Sequence, residues 1–391
     1  MRKRAFAATS AVLLTAALSS CAAESDAAPT GGELLAFEPL VSMDAAGLAE
    51  HLVQQGFAPA DVRYGVDAFR YLYRTTDFAG EPTVASGVAA FPRTDEELPL
   101  TVYLHGTNPS RGTAASIVNS PDRAAVLLFA GTGQAATAPD YAGLGLGLGE
   151  PEYMLAAPTV QTSLDSMRAT RAIAEQRGAE LDGGVNVAGF SQGGHASVPL
   201  GKAIQDDPEY ELRAVGAVAG PHDIAGTELP AALDGRVDPR SAVVYLGYFV
   251  TSWNHAYHLY DSPSEAFRAP YDQTAEALFD GTHSFPEILQ GLPSTPQELL
   301  QPEMLQKLSH PTGELAEAFA ANDQLCAQWA PDVPVRLHHG TEDTDVPFAN
   351  SVRCQEALGE RAELVDVGPL DHTGAALASI PQLASWFAER G

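Results

Sequence analysis

The run Val185-Asn186-Val187-Ala188-Gly189-Phe190-Ser191-Gln192-Gly193-Gly194-His195 constrains the fold more than any other stretch of the chain. An apolar strand passes there through G-x-S-x-G into residues compatible with a helix. The small residues have a mechanical reason: a tight strand-to-helix turn strains its central residue, and glycine at positions 189 and 193 lets the flanking backbones pass closely. Ser191 is therefore expected at a turn, with its hydroxyl presented outward. Short apolar strands recur at residues 100–104, 134–138, 214–219 and 333–338, interleaved with helical stretches. Such alternation predicts an α/β fold, a mostly parallel sheet with helices on both faces.

Earlier in the chain, Phe69-Arg70-Tyr71-Leu72-Tyr73 and Val84-Ala85-Ser86-Gly87-Val88 alternate in polarity around Asp77-Phe78-Ala79-Gly80, which predicts an antiparallel hairpin. Residues 225–330 break the strand–helix rhythm and are dense in aromatics, among them Tyr245, Tyr248, Phe249, Trp253 and Tyr257. Thr295-Pro296-Gln297-Glu298 has the cap, the first-turn proline and the third-position acid of a helix start. The segment reads as a helical cap or lid inserted over the carboxyl edge of the sheet, where ligands bind in this architecture. Pro199 lies in the helix after Ser191 and is expected to kink that helix or end it early.

A serine hydroxyl attacks only when a histidine removes its proton, and the histidine needs a carboxylate to hold its tautomer and stabilise the imidazolium. On a sheet carrying this turn the acid and then the histidine follow the serine along the chain. The strand ending in Leu337-His338 leads into His339-Gly340-Thr341-Glu342-Asp343-Thr344-Asp345. Asp343 is the expected acid, with Glu342 and Asp345 as rivals on the same loop. His372, the last histidine of the chain, sits in a loop before a final helical stretch and is the expected base. His195 and His222 read as satisfied polar groups or pocket lining. Acyl transfer also needs donors for a developing oxyanion. The H-G turn of Val102-Tyr103-Leu104-His105-Gly106-Thr107 points to the backbone amides of Thr107 and Gln192.

Over most of residues 60–391 the chain resembles the α/β-hydrolase superfamily, and within it the secreted microbial lipases and esterases of the secretory lipase group. The resemblance rests on Tyr73-Arg74-Thr75-Thr76-Asp77 with Ser86-Gly87, on His105-Gly106-Thr107, on Ala138-Pro139-Asp140-Tyr141-Ala142-Gly143-Leu144-Gly145, on the Ser191 turn, and on the Asp343 and His372 loops. The Asp343 loop matches the group's pattern H-G-x-x-D-x-x-V-P at every fixed position. The resemblance implies an α/β-hydrolase fold and hydrolysis of a small-molecule or lipid ester through an acyl-enzyme, with no metal and no organic cofactor. Asp140 reads as structural. A serine peptidase on the same fold is the first alternative, because the triad does not distinguish an alkoxide from an amine leaving group. A surface binding lipoprotein that keeps the fold without the chemistry is the second.

Arg2, Lys3 and Arg4 precede an apolar run over residues 5–18 that is too short to span a bilayer, so residues 1–20 read as an export signal. Leu18-Ser19-Ser20-Cys21 resembles the lipobox of bacterial lipoproteins, which makes Cys21 a lipidation site and the protein a membrane-anchored one at the cell surface or in the periplasm. Residues 21–35 then read as a tether and 36–391 as the folded domain. Two cysteines remain, Cys326 and Cys354, and export predicts that they form a disulfide flanking the strand of the proposed acid. With 50 Asp and Glu against 22 Lys and Arg, the net charge is -28, which argues against nucleic acid as a partner. Oligomeric state is not legible in the sequence.

Overall fold

The computed structural model describes residues 31–58 and 60–390. The export signal, Cys21 and the tether up to residue 30 lie outside the described residues. The sheet opens with three antiparallel strands, β1 (Leu34–Met43), β2 (Val66–Thr76) and β3 (Pro82–Pro92). It continues with six strands that run parallel to one another: β4 (Leu98–Leu104), β5 (Ala135–Pro139), β6 (Leu181–Phe190), β7 (Glu211–Val218), β8 (Val335–His339) and β9 (Ala362–Asp366). Their order across the sheet is β1-β2-β3-β5-β4-β6-β7-β8-β9. This is the mostly parallel α/β sheet expected, with the predicted hairpin as β2 and β3, registered from Val66 opposite Pro92 to Thr76 opposite Pro82. The Asp77 carboxylate closes the turn by accepting from the amides of Ala79 and Glu81, each at 2.9 Å.

Side-chain alternation assigns the two faces. Phe69, Tyr71 and Tyr73 of β2 and Val185 and Val187 of β6 point to the layer formed by α3 (Ala156–Arg177) and α4 (Gln192–Gln205). Residues one position away, Ala68 and Ala188, pack under α1 (Ala45–Gln54), α2 (Pro121–Gly131) and the last helix, His372–Ala388. Both faces of the central strands are covered, which is why those strands read as continuous apolar runs. Pro199 lies inside α4 yet does not end it, because the helix continues to Gln205.

Two features differ from expectation at the ends of elements. The segment read as tether overruns the folded domain, since β1 already begins at Leu34. This edge strand is hard to see in the sequence because Pro39 and two register shifts break its alternation and none of its residues is buried. Thr295 does precede a helix, but that helix is only Pro296–Leu299 and the Thr295 side chain does not cap it. A reciprocal capping box forms instead at Ser284 and Glu287.

Between β7 and β8, helices from Ile224 to Gln328 build a cap with its own core. Trp253, fully buried, stacks on Phe249 at 4.2 Å and packs on Phe319 at 4.9 Å. Tyr153, Met154 and Leu155, from the loop before α3, join that core and tie the cap to the body. Cys326 and Cys354 are joined, with Cα atoms 5.3 Å apart, and the bridge spans β8 and the loop after it. Closing a loop of this length restricts the unfolded chain by roughly 3–4 kcal/mol in the chain-entropy picture. His222 comes within 4.8 Å of both sulfurs, but these are bonded to each other and are not thiolate ligands for a metal.

Candidate active site

β6 passes at Phe190 directly into α4, and the residue between them, Ser191, is held at φ 56° and ψ -119°. Only a tightly determined backbone keeps a non-glycine residue there. The Ser191 amide donates to the Val218 carbonyl at 2.9 Å, and the Ser191 carbonyl accepts from the His195 amide at 3.0 Å. The glycine requirement is backbone on backbone. A Cβ on Gly189 would lie 2.0 Å from the Gly193 carbonyl oxygen, and one on Gly193 would lie 2.0 Å from the Leu104 carbonyl oxygen. Gly193→Ala is accordingly expected to cost at least about 3 kcal/mol of stability, the upper range for overpacking, and to lower turnover sharply. Thermal unfolding and steady-state rates check this, and a variant with unchanged melting temperature and rate would refute the steric account.

His372 is the first residue of the last helix, whose N-cap Asp371 accepts from the Gly374 amide at 2.7 Å. Its Nε2 lies 2.8 Å from Ser191 Oγ and its Nδ1 2.7 Å from Asp343 Oδ2. Asp343 follows β8, and its other oxygen, Oδ1, accepts from the amides of Asp345 at 2.9 Å and Val346 at 2.8 Å. Burial pushes the Asp343 carboxyl up, but hydrogen bonds from His339 and His372, the charge on His372 and the Val346 amide outweigh it and hold the group well below the usual carboxylate range. Of the rival acids, Glu342 is exposed, and Asp345 faces the cavity described below.

His339 was not singled out in the sequence beyond its place in the H-G pair. It is fully buried, with Nδ1 accepting from Ser351 Oγ at 2.7 Å. Its Nε2–H faces the Val346 carbonyl at 2.9 Å and Asp343 Oδ2 at 3.3 Å, so it supports the same carboxylate oxygen that faces His372.

Thr107 lies in the loop after β4 and Gln192 opens α4; among the described residues neither backbone N–H donates to a protein acceptor. The loop is braced by the His105 ring stacked on Tyr141 at 4.0 Å. Asp140 is fully buried and accepts from Ser86 Oγ at 2.6 Å and the Ser116 amide at 3.2 Å. Both contacts fit a structural role. His195 donates to the Asn322 carbonyl at 2.8 Å, and burial lowers it to about 4, as for a neutral, satisfied core histidine. His222 lines a pocket beside the disulfide.

A cavity opens over Ser191 and Thr107. Its walls are mostly apolar and come largely from the cap, with Ile224, Leu229, Leu246, Phe249 and Phe319 facing Met154 of the body. Tyr153 reaches Thr107 through its hydroxyl, Oη to Oγ1 at 3.1 Å. Glu228 and Tyr245 also line the cavity. No motif announced these cap residues, since they belong to separate helices and meet only in three dimensions.

The secretory lipase family model matches residues 117–391. Among solved structures, a putative hydrolase from Legionella pneumophila superposes with a TM-score of 0.83 at 23% identity, over 91% of this chain and 97% of that one. The rice cell wall degrading esterase LipA from Xanthomonas oryzae gives 0.78 at 24%, over 92% and 97%. Candida antarctica lipase A in its closed state gives 0.64 at 15%, over 89% and 79%. At these identities the structures show a shared α/β-hydrolase fold. No curated protein matches the sequence.

Proposed function

The chain belongs to the secretory lipase family and is an ester hydrolase of α/β-hydrolase fold, and from that premise we propose that it cleaves carboxylic esters by two-step acyl transfer at Ser191. The observation that carries this reading is the unbroken chain Ser191 Oγ, His372 Nε2, His372 Nδ1, Asp343 Oδ2, with links of 2.8 and 2.7 Å. His372 takes the serine proton as Oγ attacks the ester carbonyl, and Asp343 fixes the tautomer and stabilises the imidazolium. The amides of Thr107 and Gln192 receive the oxyanion. The alcohol departs with the proton from His372, and a water deprotonated by His372 then releases the acid. The apolar cavity supports an acyl or alkyl group as the part of the substrate held there.

A serine peptidase of the same fold is separated by one comparison. A panel of p-nitrophenyl esters is expected to be hydrolysed, aminoacyl p-nitroanilides to be cleaved at least about a hundredfold more slowly, and Ser191→Ala to process neither. Preference for the anilides would overturn the ester reading.

Export agrees with the family's secretory character, and membrane attachment rests on the lipobox-like Leu18 to Cys21. In a bacterial host the mature protein is expected in the membrane fraction with lipid on Cys21, and Cys21→Ser is expected to be released or left unprocessed. A soluble mature form beginning at another residue would refute the anchor. Among the described residues no helix is long and apolar enough to cross a membrane.

A further inference from the structure

The ionisable groups in the wall of the Ser191 cavity are all of one kind. Glu228 and Asp345 line it together with the phenols of Tyr245 and Tyr153, and no lysine or arginine among the described residues does so. Glu228 ends the turn Ile224–Glu228 that opens the cap, and its position is tightly held. Its amide donates to the Asp223 carbonyl at 3.0 Å, and its Oε1 accepts from Asn350 Nδ2 at 2.5 Å. Asn350 is itself fixed, because its Oδ1 accepts from the Asp223 amide at 2.9 Å. The second oxygen of Glu228 has no protein partner among the described residues, and neither has the Tyr245 hydroxyl. Arg353, on the other side of this segment, is committed to the Asp223 carboxylate.

The cavity wall therefore carries the carboxylate of Asp345 and the carboxyl group of Glu228, with no lysine or arginine among the described residues to balance them. Burial, and then the charges of Asp343, Asp345 and Asp223, outweigh the hydrogen bond from Asn350 and push the Glu228 acid well above the usual carboxylate range, which favours its protonated form until a cation lies beside it. A second negative charge does not persist in that field unless a positive one enters. In a cavity walled by apolar side chains such a field is weakly screened, so a ligand cation gains more there than at an open surface. The net charge of -28 also concentrates cations around the molecule.

We infer that the cavity takes esters bearing a substituted ammonium group, seated against Glu228 and Asp345 and faced by the Tyr245 ring. The apolar wall accommodates the alkyl substituents of such a group, the Asp345 carboxylate and the aromatic face attract its charge, and Glu228 ionises against it. This specificity rests on the reading of Ser191 as the nucleophile of the same cavity. It adds to that reading which part of the molecule selects the substrate, namely the entry to the cap and the residue two beyond the triad acid.

Two probes of the same shape test the charge alone. Choline carries a quaternary nitrogen where 3,3-dimethylbutan-1-ol carries a quaternary carbon. Each is measured as a competitive inhibitor of p-nitrophenyl butyrate hydrolysis, and each is titrated calorimetrically into Ser191→Ala. Choline is expected to bind at least about tenfold more tightly than its neutral isostere. Glu228→Gln with Asp345→Asn is expected to reduce that ratio to within about threefold of unity. Glu228→Gln alone keeps the acceptor for Asn350, and is expected to lower the ratio at least about threefold should the double variant fail to fold. Equal binding of the two probes, or a ratio unchanged by the substitutions, overturns the proposal. Failure of the wild type to hydrolyse any ester would defeat the catalytic reading, while the calorimetric comparison would still decide this one.

Discussion

Replacement of Ser191 by alanine is expected to lower ester turnover roughly a million-fold, the scale of loss when the nucleophile of other serine triads is removed. The side chain is already at 2.8 Å from His372 Nε2, so the variant loses the bond-forming atom and little else. The strained backbone at φ 56° belongs to the turn and not to the hydroxyl, so alanine is expected to fold with near-normal stability. A fluorophosphonate probe is expected to label the wild type at Ser191 and to leave the variant unlabelled. Labelling at another residue, with turnover retained in the variant, would remove Ser191 from the mechanism.

Asp343→Asn is expected to keep the fold and to reduce turnover by roughly ten-thousand-fold, the effect of losing tautomer control in comparable triads. The surroundings dictate which way the new amide points. Oδ1 accepts from two backbone amides, at Asp345 and Val346, so the asparagine carbonyl stays there. Its NH2 then replaces the oxygen that accepts from His372 Nδ1, and a donor facing a donor forces the imidazole into the tautomer that cannot take the serine proton. Glu342→Gln serves as the control, because Glu342 is exposed and its turnover is expected within about twofold of wild type. Near-normal turnover in Asp343→Asn would mean that another group orients His372. The depressed acidity also has a sign. A carboxyl lowered on folding contributes stability that is complete above the ordinary carboxylate range and is lost as pH falls below it, so Asp343 remains ionised through the working range and fails only in strong acid.

The turn at Ser191 was legible in the sequence because its requirements are steric and local. A Cβ at Gly189 or Gly193 meets backbone 2.0 Å away, and no distant packing can relieve such a clash, so the glycines stand in the chain where a reader can find them. The same holds for the parallel strands, whose burial on both faces leaves apolar runs, and for the pairing of two cysteines where no other choice remained. Asp343 and His372 were legible through their order and spacing after the serine. Their contact across 29 residues of separation was an expectation that only the fold could bring to 2.7 Å.

What the sequence did not determine lies where the outcome depends on what an element packs against. Residues 34 and 35 read as tether because an edge strand with one covered side and a proline needs little apolar alternation. The place of His339 beside Asp343 depends on Ser351 and Val346 closing around it. Glu228, Tyr245, Tyr153 and Asp345 come from four separate segments with no common motif, and they share one cavity only because the cap folds over the carboxyl edge of the sheet. Periodicity in a sequence marks which side of an element is buried, but the partner across that side is a property of the whole chain. The candidate catalytic residues were therefore readable from local sterics and chain order, whereas the shape and charge of the cavity beside them were decided by tertiary packing alone.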